Sequence, residues 1–349
     1  MEEQNAERTE INEFGEFELI NRLTKQFPVK NASTVKGIGD DAAVLNYDGK
    51  KIIVTTDLLI EGIHFDLMYV PLKHLGYKAV TVNVSDICAM NAEAKQITVS
   101  FAVSNRFSVE ALDELYSGIL YACRKYGLDL IGGDTSTSTK GTFISVTAIG
   151  EADESKITYR SGAHANDLLC VTGDLGGAYL GLQILEREKR LYIEDQNIKP
   201  DLENQSYLLQ RQLRPEARTD VIKLLGELEI VPTSMIDISD GLSSEILHLC
   251  TQSNVGCRLD ESKIPISDEA QLMALKFNLD ATTCALNGGE DYELLFTLKP
   301  ADFEKVKNQP DITVIGFMTE TEKGVKLISR NNHLYDLVAQ GWNAVKGGN

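Results

Sequence analysis

Short apolar runs alternate with longer amphipathic stretches through the first half of the chain. The β-branched run at residues 52–56 predicts a strand that ends at Asp57, and Pro71 predicts the first turn of a helix that reaches about Met90. Ser108 is a typical N-cap residue for the amphipathic stretch that follows it. The same succession predicts strands at residues 97–103, 128–131 and 143–149 and a helix at 109–126.

A polar segment at residues 151–167 interrupts this alternation. It contains Ser161 and Gly162 and predicts a boundary between two domains, 1–152 and 153–349. A chain of 349 residues, 43% hydrophobic and 25% charged, has an ordinary globular composition and is long enough for two cores. Strands and helices on both sides of the boundary predict the α/β class.

The second half repeats the pattern less regularly. Residues 235–241 lead into an amphipathic helix, and residues 191–215 lack a clear period. Pro215 predicts the first turn of a helix that ends at Leu228. The remaining predicted elements are strands at 168–172 and 292–298 and a helix that reaches about Arg190.

The apolar runs are too short for a membrane span. The longest, such as residues 168–171, are strand-length, whereas a span requires roughly 20 apolar residues. The first residues, 1–5, are acidic and polar, whereas a secretory signal has a basic start and an apolar block. We therefore expect no membrane association and a cytoplasmic location.

Charge and metal-ligand spacing exclude two classes of function. With 52 acidic and 34 basic residues the net charge is -18, which repels nucleic-acid backbones and anionic lipids. The six cysteines form no C-x-x-C pair, and the five histidines form no H-x-x-x-H pair. We expect neither a nucleic-acid partner nor a zinc enzyme.

The glycine motifs do not fit the common nucleotide-binding loops. Residues 37–42 match G-x-G-x-x-A, but a polar segment precedes them and Asp40 and Asp41 would repel a pyrophosphate. The Gly49-Lys50 pair is followed by Lys51 and not by Ser or Thr, so it is not a P-loop. Without either loop, ATP would have to be bound in another way. Magnesium is the alternative, because protein carboxylates can hold it while phosphate oxygens remain among its ligands.

Candidate magnesium ligands recur where strands are predicted to end. Because strand ends meet at one edge of a sheet, we expect these carboxylates to converge. Single aspartates at turns are often helix caps, and the Ser85-Asp86 and Ser239-Asp240 pairs suit that alternative best. The candidates are Asp40, Asp41, Asp57, Asp86, Asp134, Asp237 and Asp240.

Other residues have a candidate role and an ordinary structural alternative. Gly133, before Asp134, allows a backbone amide to approach a ligand, or forms a tight turn. Arg160 could clamp phosphate oxygens, or be solvated. His64 could face a substrate phosphate, or lie on the surface, and Trp342 could stack on a ring, or pack the chain end.

Taken in order, the motifs resemble those of the thiamine-monophosphate kinases, within the aminoimidazole-ribonucleotide-synthetase-like superfamily. The resemblance spans nearly the whole chain and begins at residues 15–20. The motifs that carry it are GIGDDAAV, TTDLLIEGIHF, GYKAVTVNVSDICAM, LIGGDTS, YRSGA, VTG, LRPEAR, MIDISDGLSSEI and GGEDYELLF. The family's Ala-Met-Gly-Ala is here Ala89-Met90-Asn91-Ala92, and Asn tolerates the same left-handed backbone.

The resemblance implies a fold and a set of site residues. The fold is α/β (α+β), with mixed sheets packed with helices, an N-terminal ATP- and magnesium-binding domain that forms a dimer core, and a C-terminal domain that completes the active site. Magnesium would be held by Asp40, Asp41, Thr55, Thr56, Asp57, Asp86, Asp134, Asp237 and Asp240. Nucleotide would be contacted by Tyr116, Gly133, Asp134, Arg160 and Ser239, and substrate by His64, Glu290 and Trp342.

The implied reaction converts ATP and thiamine monophosphate to ADP and thiamine diphosphate. Several magnesium ions would assist a direct in-line transfer, and no side chain would act as a catalytic base, because the attacking phosphate oxygen is already anionic. The relatives that use a functional cysteine near the N-terminus or at the C-terminus are not favoured, since no cysteine precedes Cys88 or follows Cys284. Two alternatives remain: an aminoimidazole ribonucleotide synthetase-like enzyme and a nucleotide- and metal-binding relative without turnover.

Overall fold

The computed structural model describes residues 22–36, 44–47 and 49–340. Their contacts divide the chain into two units. The first contains Met1–Val84 and Ala94–Glu151, and the second contains Ser85–Glu93 and Ala152–Asn349. No helix within the described ranges is long and apolar enough to cross a membrane.

The first unit contains a four-stranded sheet in the order β3-β6-β4-β5, in which β4 and β5 are parallel and joined by α2. A separate antiparallel pair, β1 and β2, precedes it. The last residues of α1, from Ser85, group with the second unit. The elements are β1 (Thr34–Lys36), β2 (Val44–Leu45), β3 (Lys51–Ile60), α1 (Leu72–Ala89), β4 (Glu93–Val103), α2 (Val109–Tyr126), β5 (Asp129–Thr137) and β6 (Phe143–Ala152).

Two glycines bring α1 and α2 into backbone contact. A Cβ atom on Gly118 would lie 1.9 Å from the Lys73 carbonyl oxygen, and one on Gly76 would lie 2.0 Å from the Leu115 carbonyl oxygen. Since no side-chain movement relieves a clash with backbone, the two helices pack this closely only because both residues are glycine.

Gly118→Ala is therefore expected to destabilise the fold. Overpacking at this contact should cost about 1–3 kcal/mol of unfolding free energy, measured by denaturant unfolding. The matched control is Gly226→Ala, in a helix where an added Cβ has nothing within 4 Å and should stabilise slightly through helix propensity. Equal stability of the Gly118 variant and the wild type would contradict the close packing.

The second unit contains a seven-stranded sheet in the order β13-β12-β9-β11-β7-β10-β8. β9 and β12 are parallel, and the other neighbouring strands are antiparallel. The strands are β7 (Leu168–Thr172), β8 (Ser234–Asp237), β9 (Val255–Asp260), β10 (Leu294–Leu298), β11 (Ile312–Glu320), β12 (Val325–Ile328) and β13 (Leu334–Asp336). The helices are α3 (Gly177–Glu194), α4 (Ser206–Leu213), α5 (Thr219–Glu227), α6 (Leu242–Ser253), α7 (Asp268–Lys276), α8 (Ala281–Asn287) and α9 (Phe303–Val306).

The core of the second unit lies against its central strands. Every residue of β10 is buried, which indicates that both faces of this strand are covered. Leu169, Leu295 and Ile246 are fully buried in one cluster that joins the sheet to α6. Short turns of 3-10 helix connect several elements, at Glu154–Lys156, Glu261–Lys263, Pro300–Asp302 and Thr321–Lys323.

Several predicted elements are confirmed. The strand at 168–172 has the predicted bounds, and the predicted α1 differs by about one residue at its end. The Ser108 hydroxyl accepts a hydrogen bond from the Ala111 amide at 3.3 Å and caps α2, which ends at Tyr126 as predicted.

Other element predictions are wrong. β3 continues past Asp57, and β5 continues through Gly133 and Asp134, so these residues lie inside strands. The segment predicted to be irregular contains α4, which is stabilised by close packing on Gly181 of α3: a Cβ there would lie 2.2 Å from the Leu208 carbonyl oxygen.

Two predicted boundaries also differ. The helix predicted to begin at Pro215 begins at Thr219. The strand predicted from Tyr292 begins at Leu294, because Tyr292 has a left-handed φ of 53° that a strand does not accommodate.

Candidate active site

In the first unit, β3 carries three predicted magnesium ligands. Thr55 and Asp57 share one face of the strand, and Thr56 lies on the other, because side chains alternate. The Thr56 hydroxyl donates to the Val146 carbonyl oxygen at 3.1 Å, and the Asp57 amide donates to Asn83 Oδ1 at 3.1 Å. These two hydrogen bonds hold the backbone of β3 in place around Asp57.

The other predicted residues on this sheet lie on β5, at the opposite edge. Gly133 pairs with Val99 of β4, and a Cβ on it would lie 1.8 Å from the Val99 carbonyl oxygen, so glycine is required for strand contact. Asp134 is exposed. Since two strands separate β3 from β5, these two strands lie about 14 Å apart across the sheet. A magnesium site shared by Asp57 and Asp134 stays a prediction.

Tyr116, predicted near nucleotide, is a buried residue of α2. Its ring packs edge-on against Phe101, with centroids 5.7 Å apart, and against Phe27 at 6.4 Å. Burial raises the pKa of the phenol. The structure therefore gives Tyr116 a packing role in the core, and a nucleotide contact stays a prediction.

The second unit brings together the predicted residues of the MIDISDG motif. Asp237 ends β8 and is buried, and its Oδ2 accepts a hydrogen bond from the Ser85 hydroxyl at 2.6 Å. Ser85 and the half-buried Asp86 lie inside the last turns of α1, so neither caps a helix and Asp86 does not follow a strand. The capping alternative is wrong for this pair.

Capping also fails for the second Ser-Asp pair. Gly241 is the N-cap of α6 and makes no side-chain cap. The Asp240 amide donates to Glu245 Oε1 at 3.0 Å. Burial raises the pKa of Asp240; the nearby His248 and Arg160 lower it, and Glu290 raises it. The Asp240 carboxylate is therefore close enough to His248, Glu290 and Arg160 for their charges to shift its pKa.

Glu245 was missed by the sequence analysis. It is buried, and the other carboxylate oxygen, Oε2, has no hydrogen-bond partner among the described residues. Burial raises its pKa to about 8; the Asp240 amide lowers it, and the charges of Asp240 and Asp237 raise it. Three acids therefore gather at the start of α6.

The GGEDYE loop runs beside this motif. The Glu290 amide donates to the Ser239 carbonyl oxygen at 2.7 Å, and a Cβ on Gly289 would lie 2.4 Å from the same oxygen. Glu290 has a left-handed φ of 60°, and its carboxylate accepts hydrogen bonds from Gln212 at 3.0 Å and from the Tyr292 hydroxyl at 3.3 Å. A strained backbone held by two side-chain contacts is typical of a functional loop.

A buried ionic network holds the far side of the loop. Glu293 accepts hydrogen bonds from Arg211 at 2.8 Å, from Arg218 at 2.7 Å and from the Thr172 hydroxyl at 2.5 Å. Asp291 accepts from the Gly176 amide at 2.8 Å, at the start of α3. Arg218 lies in the LRPEAR motif, and Asp291 and Glu293 lie in the GGEDYE motif. The sequence analysis missed this network; an acidic residue next to an apolar strand pattern was the signal that could have indicated it.

The donor set of the second unit fits magnesium. Asp86, Asp237 and Asp240 offer only carboxylate oxygens, the hard ligands that magnesium prefers. Among the described residues, no three or more acidic, histidine or cysteine side chains form a group that could hold a metal ion. Magnesium is usually bound through one or two carboxylates, with water and substrate phosphates as the other ligands, so an incomplete set is consistent with it.

Two further predicted residues are exposed, and three lie outside the described residues. Arg160 is exposed, and its carbonyl oxygen accepts a hydrogen bond from Ser253 at 3.3 Å. His64 is exposed on the turn after β3. Asp40, Asp41 and Trp342 lie outside the described residues.

Comparison with known proteins decides the family. The models of the AIR synthase related protein match the chain, the N-terminal domain over residues 39–152 and the C-terminal domain over residues 165–327. The thiamine-monophosphate kinase of Bacillus subtilis (strain 168) is 33% identical over 337 residues, which cover 95% of this chain and 99% of that protein. The chain belongs to the thiamine-monophosphate kinase family.

Other thiamine-monophosphate kinases agree in sequence and in structure. That of Aquifex aeolicus (strain VF5) is 36% identical, over 89% of this chain and 94% of its own length. The structure of AaThiL complexed with AMPPCP and TMP has a TM-score of 0.73 and 33% identity, covering 96% of this chain and 99% of that one. The enzyme from Stenotrophomonas maltophilia K279a has a TM-score of 0.76 and 28% identity, covering 90% and 96%. The predicted family and the mixed α/β fold are confirmed.

Proposed function

We propose that this chain is a thiamine-monophosphate kinase that transfers the γ-phosphoryl group of ATP to thiamine monophosphate, giving ADP and thiamine diphosphate. The observation that carries the proposal is the AaThiL complex, a relative 33% identical over 96% of this chain with AMPPCP, an ATP analogue, and TMP bound. Identity spread over both family models supports the same activity.

The proposed site residues follow the family motifs. Magnesium would be held by carboxylates that include Asp86, Asp237 and Asp240, supported by the oxygen-only donor set around the start of α6. When bound, magnesium would supply positive charge that offsets the negative charge of the transferring phosphoryl group. The remaining proposed metal ligands are Asp40, Asp41, Thr55, Thr56, Asp57 and Asp134. Nucleotide contacts are proposed for Tyr116, Gly133, Asp134, Arg160 and Ser239, and substrate contacts for His64, Glu290 and Trp342.

The chain's own residues would act by positioning. The Ser85 hydroxyl fixes one oxygen of Asp237, and Glu245 fixes the backbone at Asp240. An oxygen of the substrate phosphate would attack the γ-phosphorus in line as the bond to the ADP oxygen breaks. Since that oxygen is anionic near neutral pH, no general base is required.

The reaction is tested by incubating the purified chain with ATP, magnesium and thiamine monophosphate. Formation of ADP and thiamine diphosphate in equal amounts is expected. Nucleotide binding without either product would favour the non-catalytic alternative. Phosphate release on an aminoimidazole ribonucleotide precursor, without thiamine diphosphate, would favour the synthetase alternative.

We also propose that the protein is a cytoplasmic homodimer that pairs through β3. The N-terminal domain (1–152) would form the core of the dimer, and the C-terminal domain (153–349) would complete the active site. The support in the first unit is an apolar face on an edge strand, where Ile52, Val54 and Leu58 are 42%, 62% and 51% exposed. An apolar edge of this kind favours pairing with a second chain.

Val54→Asp is expected to convert the dimer to a monomer, because a charge would be buried in the paired face. Sedimentation velocity measures the change. The control is Leu275→Asp on α7, where the native leucine is 76% exposed and the assembly should be unaffected. A dimer that survives the Val54 substitution would place the interface elsewhere.

A further inference from the structure

Helix α4 places Gln212 beside the GGEDYE loop. A Cβ on Gly181 of α3 would lie 2.2 Å from the Leu208 carbonyl oxygen and 3.0 Å from Gln212 Cβ, so α3 and α4 pack closely at this point. Gln212 is only 6% exposed, although its amide is polar. A buried amide is stable only where its polar atoms form hydrogen bonds, so the partner of this side chain indicates its role.

The neighbouring residue ties the end of α4 to the same loop. Arg211 Nη1 donates to Glu293 Oε1 at 2.8 Å, and Nη2 donates to the Asp174 carbonyl oxygen at 2.8 Å. The Arg211 side chain is largely buried, so salt and water screen its pair with Glu293 only weakly. The backbone from which the Gln212 side chain extends is therefore held by helix packing and by a buried ion pair.

The Gln212 amide holds one oxygen of the Glu290 carboxylate. Gln212 Nε2 donates to Glu290 Oε2 at 3.0 Å, and the Tyr292 hydroxyl donates to Glu290 Oε1 at 3.3 Å. Because an ionised carboxylate only accepts hydrogen bonds, the amide has to present its NH2 group to it. A carboxylate offers about four acceptor sites, more than these two bonds occupy, so it can be oriented by the protein and still accept a bond from a ligand.

The backbone at Glu290 depends on contacts with its surroundings. Glu290 has a φ of 60° and follows Gly289, whose φ is 70°, so two successive residues are left-handed. A residue other than glycine stays in this region only where neighbouring contacts hold it. The Glu290 amide donates to the Ser239 carbonyl oxygen at 2.7 Å, and the Gln212 contact holds the side chain of the same residue. Glu290 is therefore held at its backbone and at its carboxylate.

We propose that Gln212 is a positioning residue, which holds the Glu290 carboxylate in the orientation that accepts a hydrogen bond from the substrate. The substrate contact of Glu290 rests on the proposed function, whereas the bond between Gln212 and Glu290 is formed within the second unit itself. An acceptor that is already oriented loses less side-chain entropy when a ligand binds, so the benefit is in affinity. Gln212 acts through Glu290 and does not have to touch the substrate.

Two substitutions of Gln212 separate its hydrogen bond from its packing. Leu has nearly the volume of Gln but no N–H group, whereas His Nε2 reaches about as far from the backbone as Gln Nε2 and can donate. We expect Gln212→Leu to raise KM for thiamine monophosphate roughly five- to fiftyfold, with kcat and KM for ATP little changed, and Gln212→His to raise it less than about threefold. Gln210→Leu, at an exposed residue of the same helix, is the control and should leave KM unchanged.

Hydrogen exchange tests the positioning without any substrate. The Glu290 amide bonds to Ser239, and mass spectrometry of the whole chain after peptic digestion measures exchange in the segment 286–293. We expect this segment to exchange several-fold faster in Gln212→Leu, because the left-handed backbone loses one of its supports. The midpoint of urea unfolding should change little, and Gln210→Leu should match the wild type in both measurements.

The outcomes separate this inference from the proposed function. Unchanged exchange in Gln212→Leu would overturn the positioning role, whatever the enzyme does. Faster exchange with an unchanged KM for thiamine monophosphate would overturn its link to substrate binding. Equal KM values in the Leu and His variants, or a lower unfolding midpoint with equal losses for both substrates, would indicate packing alone and would also overturn the proposal. A wild type that forms no thiamine diphosphate would overturn the proposed function, while the exchange result would still decide whether Gln212 positions Glu290.

Discussion

Asp240→Asn is expected to lower kcat at least about a hundredfold while the protein stays folded. The substitution removes a negative charge proposed to hold magnesium, but it leaves the backbone amide that donates to Glu245. Steady-state assays with saturating ATP and magnesium measure the loss. Asp336→Asn, at an exposed acid paired with Lys326, is the control and should retain full activity.

The same variant should be at least as stable as the wild type. Burial and the charge of Glu290 both raise the pKa of Asp240, so its ionised form is disfavoured in the folded protein. A neutral amide removes that penalty, and a gain in stability with a loss of activity is typical of residues selected for function. Turnover near the wild-type rate would rule out Asp240 as a metal ligand.

Glu293→Gln is expected to cost about 3–5 kcal/mol of unfolding free energy, the largest stability effect in the second unit. The carboxylate is 2% exposed and neutralises two guanidinium groups, those of Arg211 and Arg218. An amide would leave the guanidinium groups of Arg211 and Arg218 without their shared negative partner. It would also place an NH2 donor against the N–H donors of one of these arginines. Urea unfolding followed by circular dichroism measures the change.

The matched control changes an acid of the same type on the surface. Glu227 pairs with Lys223 at 4.0 Å, and both side chains are mostly exposed. Glu227→Gln should cost less than about 1 kcal/mol, because water screens the pair. A Glu293 variant no less stable than the Glu227 variant would show that the buried network contributes nothing to folding.

Local signals predicted much of the fold. α2 was predicted at both ends because Ser108 caps it through its own side chain and because Gly127, with a left-handed φ of 71°, ends it. The bounds of β7 were predicted because the strand is a continuous apolar run beside a glycine turn. In both cases the determining residues are neighbours in sequence.

The missed features depend on residues far apart in sequence. Arg211 and Glu293 are 82 positions apart, and no local pattern relates them. We predicted that β5 ends at two glycines, because glycine favours turns. The strand instead continues through them, because Gly133 allows close contact with β4. The candidate carboxylates rest on motif order, because the expected position at a strand end does not hold for Asp57, inside a strand, or for Asp86, inside a helix.

The grouping of Ser85–Glu93 with the second unit makes that unit discontinuous in sequence. Ser85 donates to Asp237, 152 positions later, so a fragment that begins at residue 153 would lack the hydroxyl that fixes this carboxylate. On the ribosome, at about 5–20 residues per second, Asp237 is synthesised roughly 8–30 s after Ser85. Folding of the second unit therefore has to be completed after most of the chain has been made.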